Sequence, residues 1–238
     1  MVDKGNGYEN AIDEMPLKES WKIKTGENSQ ASIVFYESDV AMLEPNTEIV
    51  ISELKEDSIK TETKSGEAMH TVAKITGTRS YEARTPSAVA TVRGTMFTLS
   101  EVDKDALLYE GTLDLESVNE NVLLNPNQKS LFSEMKASDF TPEDKEKFKN
   151  KKQRLILKYK KMRLREMNKK PFTVKMVKKM FHADDDKITN WLNEADQGKR
   201  DLDKAESMIP FKTKSISKVK KMTEKIIALN KDDINSVA

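Results

Sequence analysis

Hydrophobic and polar residues alternate with a period of two from about Trp21 to Leu131. In ASIVF, for example, Ala31, Ile33 and Phe35 fall on one face. This alternation is typical of β-strands that pack on one face and meet water on the other. Short strands of this kind, separated by turn residues, predict an all-β sandwich, roll or short solenoid. The other segments with the pattern are NTEIVISEL, HTVAKIT, SYEAR, SAVATV, TMFTL, DALLYEGTLDLES and NVLLN.

One strand pattern, TPSAVATVRGTMFTL, is interrupted at Arg93-Gly94. A glycine inside a strand marks a bulge or bend, and Pro86 denies the ladder one N–H. Arg93 can donate to carbonyl groups that the bend leaves free, or to a carboxylate. We therefore predict a corner at which Pro86 and Gly94 are structural. Arg93 and Thr95 are the candidate binding residues of this half.

The period changes to that of a helix after Thr141. Thr141 is a suitable N-cap, Pro142 suits the first helical position, and the two acidic residues that follow complement the helix dipole. An apolar stripe at helical spacing is formed by Phe148, Leu155, Tyr159 and Met162. Pro171 ends the helical pattern. Leu157 and Leu164 lie nearly opposite this stripe.

Two further helical segments follow. Residues 173–196 resemble a helix-turn-helix of the MerR or excisionase kind, with Thr173 and Asp184 as caps and Trp191 as a structural residue. The last predicted helix runs from about Ser215 to Leu229. The predicted fold class is α+β with segregated domains: a disordered or truncated lead at 1–16, a β domain at 17–132, and an all-α basic helical domain at 141–238.

Net charge differs sharply between the halves: residues 1–140 carry −11 and residues 141–238 carry +12. Such asymmetry favours two modules and an acidic or anionic partner for the second, although mutual attraction of the halves or a solvated basic face would give the same pattern. The candidate binding residues of the basic helix are Lys151, Lys152, Arg154, Lys158, Lys161 and Arg165.

The sequence contains few of the residues and motifs that are typical of enzyme active sites. The absence of cysteine excludes disulfides, thiolate zinc sites and a cysteine nucleophile. His70 and His182 lack metal-ligand spacing, and neither a nucleophile elbow nor a phosphate-binding glycine loop is present. We predict no enzyme activity, cofactor or metal, and keep an unrecognised enzyme of cell-wall polymer as a third hypothesis. No apolar run of 18 residues and no signal peptide is recognisable.

The segment YEARTPSAVATVRGTMFTL resembles the signature of FecR domains: Thr-Pro, then Ala-x-Ala-x-Val-Arg-Gly-Thr-x-Phe. Its flanks agree, because WKIKTGENSQASIVFYESDVAMLEPNTEI resembles the family's opening and LLYEGTLDLE its Glu-Gly hairpin. The resemblance covers about Leu17 to Ser130. Two turns depart from it: Glu37-Ser38-Asp39 replaces Asp-Gly-Ser, and Asn127-Gln128 replaces Gly-Gln.

The resemblance implies an all-β domain and an envelope location. Well-understood FecR relatives are signal transducers with cytoplasmic anti-sigma helices, one membrane span and a periplasmic FecR domain. Because the FecR-like part comes first here, the chain looks more like free-standing envelope proteins. We therefore predict a non-catalytic periplasmic or envelope-associated module for protein interaction, scaffolding or signal sensing, on the assumption that an export signal was removed. Otherwise we expect the cytoplasm.

The expected partner is another envelope protein or protein complex, and an anionic surface (cell-wall polymer or lipid headgroups) is the second candidate. A regulatory nucleic-acid-binding protein that uses residues 173–196 is the alternative function. Nucleic acid is the less favoured partner because Asp184, Asp185 and Asp186 would face phosphate where binding needs Lys and Arg. The sequence does not indicate the oligomeric state.

Overall fold

A computed structural model describes residues 1–36, 39–73, 79–92, 94–118, 120–168 and 194, with backbone alone at 157, 160, 161 and 163–168. Its helix α1 spans Pro142–Asn168. Its strands are β1 (Val2–Asp3), β2 (Tyr8–Glu9), β3 (Lys22–Lys24), β4 (Ala31–Phe35), β5 (Asp39–Leu43), β6 (Glu48–Leu54), β7 (Ser58–Ser65), β8 (Glu67–Thr71), β9 (Ser80–Arg84), β10 (Val89–Val92), β11 (Met96–Ser100), β12 (Asp105–Glu110), β13 (Leu113–Glu116), β14 (Asn121–Leu124), β15 (Gln128–Leu131) and β16 (Ser138–Asp139).

The strands form two sheets. One has nine strands in the order β14-β13-β10-β9-β7-β6-β3-β1-β2, and the other has seven in the order β16-β15-β12-β11-β8-β5-β4. The described pairs are antiparallel except β7 with β9, which are parallel because β8 between them lies in the other sheet. A common core joins the sheets: Ile49, Ile51, Tyr81 and Leu115 from the first meet Phe35, Leu43, Phe97 and Leu108 from the second. The predicted all-β half is therefore a sandwich.

Two long hairpins bend from one sheet into the other. In the first, β5 continues into β6 through Thr47, and β7 returns to β8 through Gly66. The Thr47 hydroxyl donates to the carbonyl of Glu67 at 3.0 Å and accepts from its N–H at 3.0 Å. Gly66 has a φ of +83°, and a Cβ there would lie 2.5 Å from Cα of Thr47. This corner was not predicted from the sequence.

The second bent hairpin contains the interrupted strand. Here β10 continues into β11 through Gly94 and Thr95, and β12 returns to β13 through Gly111 and Thr112. The predicted corner at Gly94 is therefore confirmed. The expected Glu-Gly hairpin at Glu110-Gly111 is wrong, because the chain does not reverse there but crosses between the sheets. At both corners a threonine thus lies against a glycine on the returning strand: Thr47 against Gly66, and Thr95 against Gly111.

The first sixteen residues contribute to the nine-stranded sheet, where we had expected a disordered or truncated lead. Val2 is fully buried and pairs with Ile23. The side chain of Asp3 orders the turn that follows, because its carboxylate accepts the N–H groups of Gly5 and Gly7 at 2.8 and 3.0 Å. This part of the chain therefore belongs to the sandwich.

The chain divides into two compact units, Met1–Glu146 and Lys147–Ala238, so the boundary falls inside α1. The predicted all-α module at 141–238 is described only as far as this helix. Within α1, the expected stripe is confirmed, since Phe148, Leu155, Tyr159 and Met162 are all buried. The later predicted helices, including residues 173–196 apart from Glu194, lie outside the described residues.

Thr141 caps α1 as predicted. Its hydroxyl accepts the N–H of Asp144 at 3.2 Å, and the Asp144 carboxylate accepts the Thr141 N–H at 2.7 Å. Lys129 adds an ion pair to the same carboxylate at 2.8 Å. This reciprocal arrangement satisfies N–H groups at the helix start that have no partner within the helix.

Candidate functional site

The structure gives the corner residues an architectural role. Thr95 is only 1% exposed, and its hydroxyl donates to the carbonyl of Thr112 at 3.0 Å on the returning strand. Its own carbonyl accepts the N–H of Val72 at 2.9 Å. Pro86 lies in the turn between β9 and β10, and not at the corner where we predicted it. Arg93, the other candidate binding residue of this half, lies outside the described residues.

Replacing Thr95 with valine tests this role. The substitution keeps the shape of the side chain but removes the hydrogen bond to the carbonyl of Thr112, which is part-buried, so we expect a loss of about 1 kcal/mol in the free energy of unfolding. Thr91→Val, on the exposed face of β10, should change it by less than about 0.5 kcal/mol. Urea unfolding measures both, and equal losses would contradict the architectural role.

A buried ion pair lies at the base of the loop between β8 and β9. The Asp39 side chain is fully buried. One of its oxygens accepts the N–H of Ala73 at 2.9 Å, and the other is paired with the guanidinium of Arg79. The carboxylate therefore connects Ala73 with Arg79. The sequence indicates only that Asp39 belongs to the turn Glu37-Ser38-Asp39, and it contains no signal for this role.

A polar contact connects the sheets inside the core. His70 of β8 and Tyr81 of β9 are both fully buried, and Nδ1 of His70 lies 2.9 Å from the Tyr81 hydroxyl. The His70 ring stacks on Phe97 with centroids 4.9 Å apart. Burial lowers the pKa of His70 to about 3, because the charged imidazolium would lose its hydration. His70 is therefore a neutral core residue at physiological pH.

A second titrating group, Asp105, opens β12 and is 6% exposed. Burial, with smaller contributions from the charges of Asp103 and Glu67, raises its pKa to about 6. In the part of the chain that the structure describes, no group of three His, Asp or Glu side chains is placed to hold a metal ion. The Asp105 carboxyl group is thus a buried titratable group within the fold, and it does not belong to a metal-binding group of that kind in the described residues.

His70 and Asp105 should give opposite pH dependences. As pH falls from about 6 to about 4, unfolded His70 gains a proton while folded His70 stays neutral, which costs stability. Folded Asp105 gains its proton before the unfolded carboxyl does, which adds stability. Each contribution approaches about 1.4 kcal/mol per pH unit.

We therefore expect His70→Asn to gain stability relative to wild type on acidification over this range, and Asp105→Asn to lose it, each by about 2 kcal/mol. Urea unfolding at the two pH values measures the differences. Parallel pH profiles for wild type and both variants would contradict the assignment.

The basic candidates on α1 divide into three groups. Lys151 and Lys152 are 6% and 1% exposed, so both lie on the buried side of the helix and do not present a solvated charge. Arg154 and Lys158 are half-buried, and the side chains of Lys161 and Arg165 lie outside the described residues, as does Trp191. The sequence analysis passed over Lys147 and Lys149, which are exposed.

Periodicity could have identified the buried pair. Positions 148, 151, 152, 155, 159 and 162 form one stripe at spacings of three and four residues, and the two lysines fall within it. The sequence did not predict that Lys151 and Lys152 belong to this buried stripe, because lysine is rarely buried without a partner. No helix in the described ranges is both long and apolar enough to cross a membrane.

A comparison with protein-family models gives a match that includes the corner motif at Gly94 and Thr95. The family model described as FecR protein matches residues 22–113, which run from β3 to the start of β13. Two crystal structures of a candidate anti-sigma factor from Parabacteroides distasonis ATCC 8503 are 18% identical to the chain, with a TM-score of 0.43. Each match covers 50% of this chain and 59% of that chain.

A search of curated proteins gives no match. The family match contains Val92, Gly94 and Thr95, the described residues of the motif that forms the second corner. The match lies within the expected extent of the resemblance, from about Leu17 to Ser130, but ends at residue 113 and does not include NVLLNPNQ. Residues 22–113 of this chain are therefore similar to the FecR protein family.

Proposed function

We propose that the chain is a non-catalytic module of the cell envelope that senses a signal by binding another envelope protein or protein complex. The observation that carries this proposal is the similarity of residues 22–113 to the FecR protein family, together with the envelope signalling role that the family resemblance implies. Because Gly94 and Thr95 serve the corner, we place partner binding on the exposed strand edges and turns of the sandwich. We propose a periplasmic or envelope-associated location.

The helical half is proposed to bind a second partner. Lys147, Lys149, Arg154 and Lys158 lie outside the fully buried stripe of α1, which favours an acidic protein surface as the ligand. An anionic polymer or lipid headgroup surface is the second candidate, and increasing salt should weaken either contact. Buried Lys151 and Lys152 are excluded from this proposed surface.

Localisation in the native host tests the envelope role. We expect protease added to spheroplasts to digest the full-length protein while a cytoplasmic marker stays intact. Protection equal to that of the marker, with digestion only after lysis, would overturn the proposed location. In vivo crosslinking of the wild type and a Lys147→Glu/Lys149→Glu variant would then separate partners of the helix from partners of the sandwich.

Nucleic-acid binding is the second candidate function. It rests on the helix-turn-helix resemblance of residues 173–196 and on the net charge of the second half. Binding of a DNA duplex to the full chain at low salt, with an affinity that falls steeply as salt rises, would support it. Absence of binding at low salt would end it.

A further inference from the structure

Four described strands lie at sheet edges: β2 and β14 in the nine-stranded sheet, and β4 and β16 in the seven-stranded sheet. Edge strands carry backbone N–H and C=O groups that can pair with a strand from another molecule. With five residues, β4 is the longest of the four, followed by β14 with four and by β2 and β16 with two each. Length alone makes β4 the strongest template for pairing.

The other three edges carry features that discourage pairing. β2 and β16 are short and contain Glu9 and Asp139, and Pro126 follows shortly after β14. No charge and no proline occurs from Asn28 to Tyr36, the stretch that contains β4. Val34 on the outer face of β4 is 39% exposed, so this face of the strand is accessible to solvent.

We propose that β4 pairs antiparallel with β4 of a second copy of this chain, about a two-fold axis through Ile33. A two-fold axis makes the same strand its own complement, because each donor on one copy meets the equivalent acceptor on the other. The pairing would join two seven-stranded sheets into one continuous sheet. It does not depend on the function proposed above.

Side-chain sizes favour β4 of a second copy as the pairing strand, in the register centred on Ile33. On the core face, half-buried Ala31 would lie opposite Phe35 of the second copy, which places a small residue against a large one, and Ile33 would meet itself. On the outer face, Ser32 would lie opposite Val34. The absence of charge removes the repulsion that usually separates identical edges.

The contact is small, because it rests on five residues per copy. Interfaces at the low end of the size range bind weakly, so we expect a dissociation constant on the order of 10 to 100 μM. Analytical ultracentrifugation of the full chain up to about 0.5 mM covers this range. We expect wild type to dimerise and Val34→Lys to dimerise at least about tenfold more weakly, because two lysines would flank the axis.

Leu123→Lys is the matched control, since Leu123 is a 60% exposed aliphatic residue on the edge strand β14 of the other sheet. It should leave dimerisation unchanged. Both substitutions replace exposed side chains, and equal thermal unfolding of the two variants would establish that they fold. A monomer at every concentration, or a dimer that Val34→Lys does not weaken, would overturn the proposal.

Disulfide trapping tests the register, because the chain contains no cysteine. Directly opposite residues of an antiparallel pair bring their Cβ atoms within disulfide range. A mixture of Ser32→Cys and Val34→Cys chains should therefore crosslink rapidly on oxidation, whereas a mixture of Ser32→Cys and Leu123→Cys should not. Failure of the first mixture, or equal crosslinking in both, would overturn the pairing even if a dimer forms elsewhere on the chain.

Discussion

Gly66→Ala is expected to lower the free energy of unfolding by about 4 kcal/mol, a large share of the 5 to 15 kcal/mol typical of a domain. Two costs combine. The φ of +83° is unfavourable for a residue with a Cβ by about 1 to 2 kcal/mol. The new Cβ would also lie 2.5 Å from Cα and 2.4 Å from Oγ1 of Thr47, where backbone must move.

Gly7→Ala separates these two costs. Gly7 has a φ of +101°, but no atom lies within 4 Å of its would-be Cβ, so only the backbone term of about 1 to 2 kcal/mol should appear. Urea unfolding of both variants, with Gly26→Ala as a neutral reference, measures the difference. Equal losses at Gly66 and Gly7 would show that close packing against Thr47 contributes nothing.

Asp39→Asn is expected to cost about 3 to 4 kcal/mol, because it removes one partner of a buried ion pair and leaves the Arg79 charge without compensation. The amide oxygen can still accept the N–H of Ala73, so the loss reports on the ion pair. Asp114→Asn, on the exposed face of β13, should stay within about 0.5 kcal/mol.

The double variant Asp39→Asn/Arg79→Met completes the test. Removal of the second charge eliminates the partly buried cation, so we expect the double variant to be more stable than Asp39→Asn alone by about 2 kcal/mol. Denaturant unfolding of wild type, Asp39→Asn, Arg79→Met and the double variant gives the coupling energy between the two side chains. Additive losses would show that Asp39 and Arg79 are not energetically coupled, which would contradict a stabilising role of the ion pair.

Local pattern predicted much of the sandwich, because a strand with one packed face shows its period in its own residues. The corner at Gly94 was predictable for the same reason, since a glycine interrupted an otherwise regular strand. The equivalent corner at Thr47 was not, because Thr47 acts on Gly66 and Glu67, which lie about twenty residues further along the chain. The sequence contains no local signal for that juxtaposition.

Buried charge was the main obstacle at the candidate sites. The sequence places Asp39 in a turn and makes Lys151 and Lys152 candidate binding residues, because charged residues usually lie at the surface. Whether the interior can accommodate such a group depends on partners that the fold supplies, as Ala73 and Arg79 do for Asp39. Thr95 was chosen for its position in a motif, while its burial follows from a strand that returns seventeen residues later.

The bent hairpins have a consequence for how the sandwich opens. Because β5 and β6, like β10 and β11, are halves of one backbone that serves both sheets, neither sheet can detach while the other keeps its strand ends in place. Local opening in one sheet should therefore spread to the other, and amide protons at the centres of both sheets should exchange with deuterium together, at the rate set by global unfolding. We therefore expect the two sheets to unfold as a single cooperative unit.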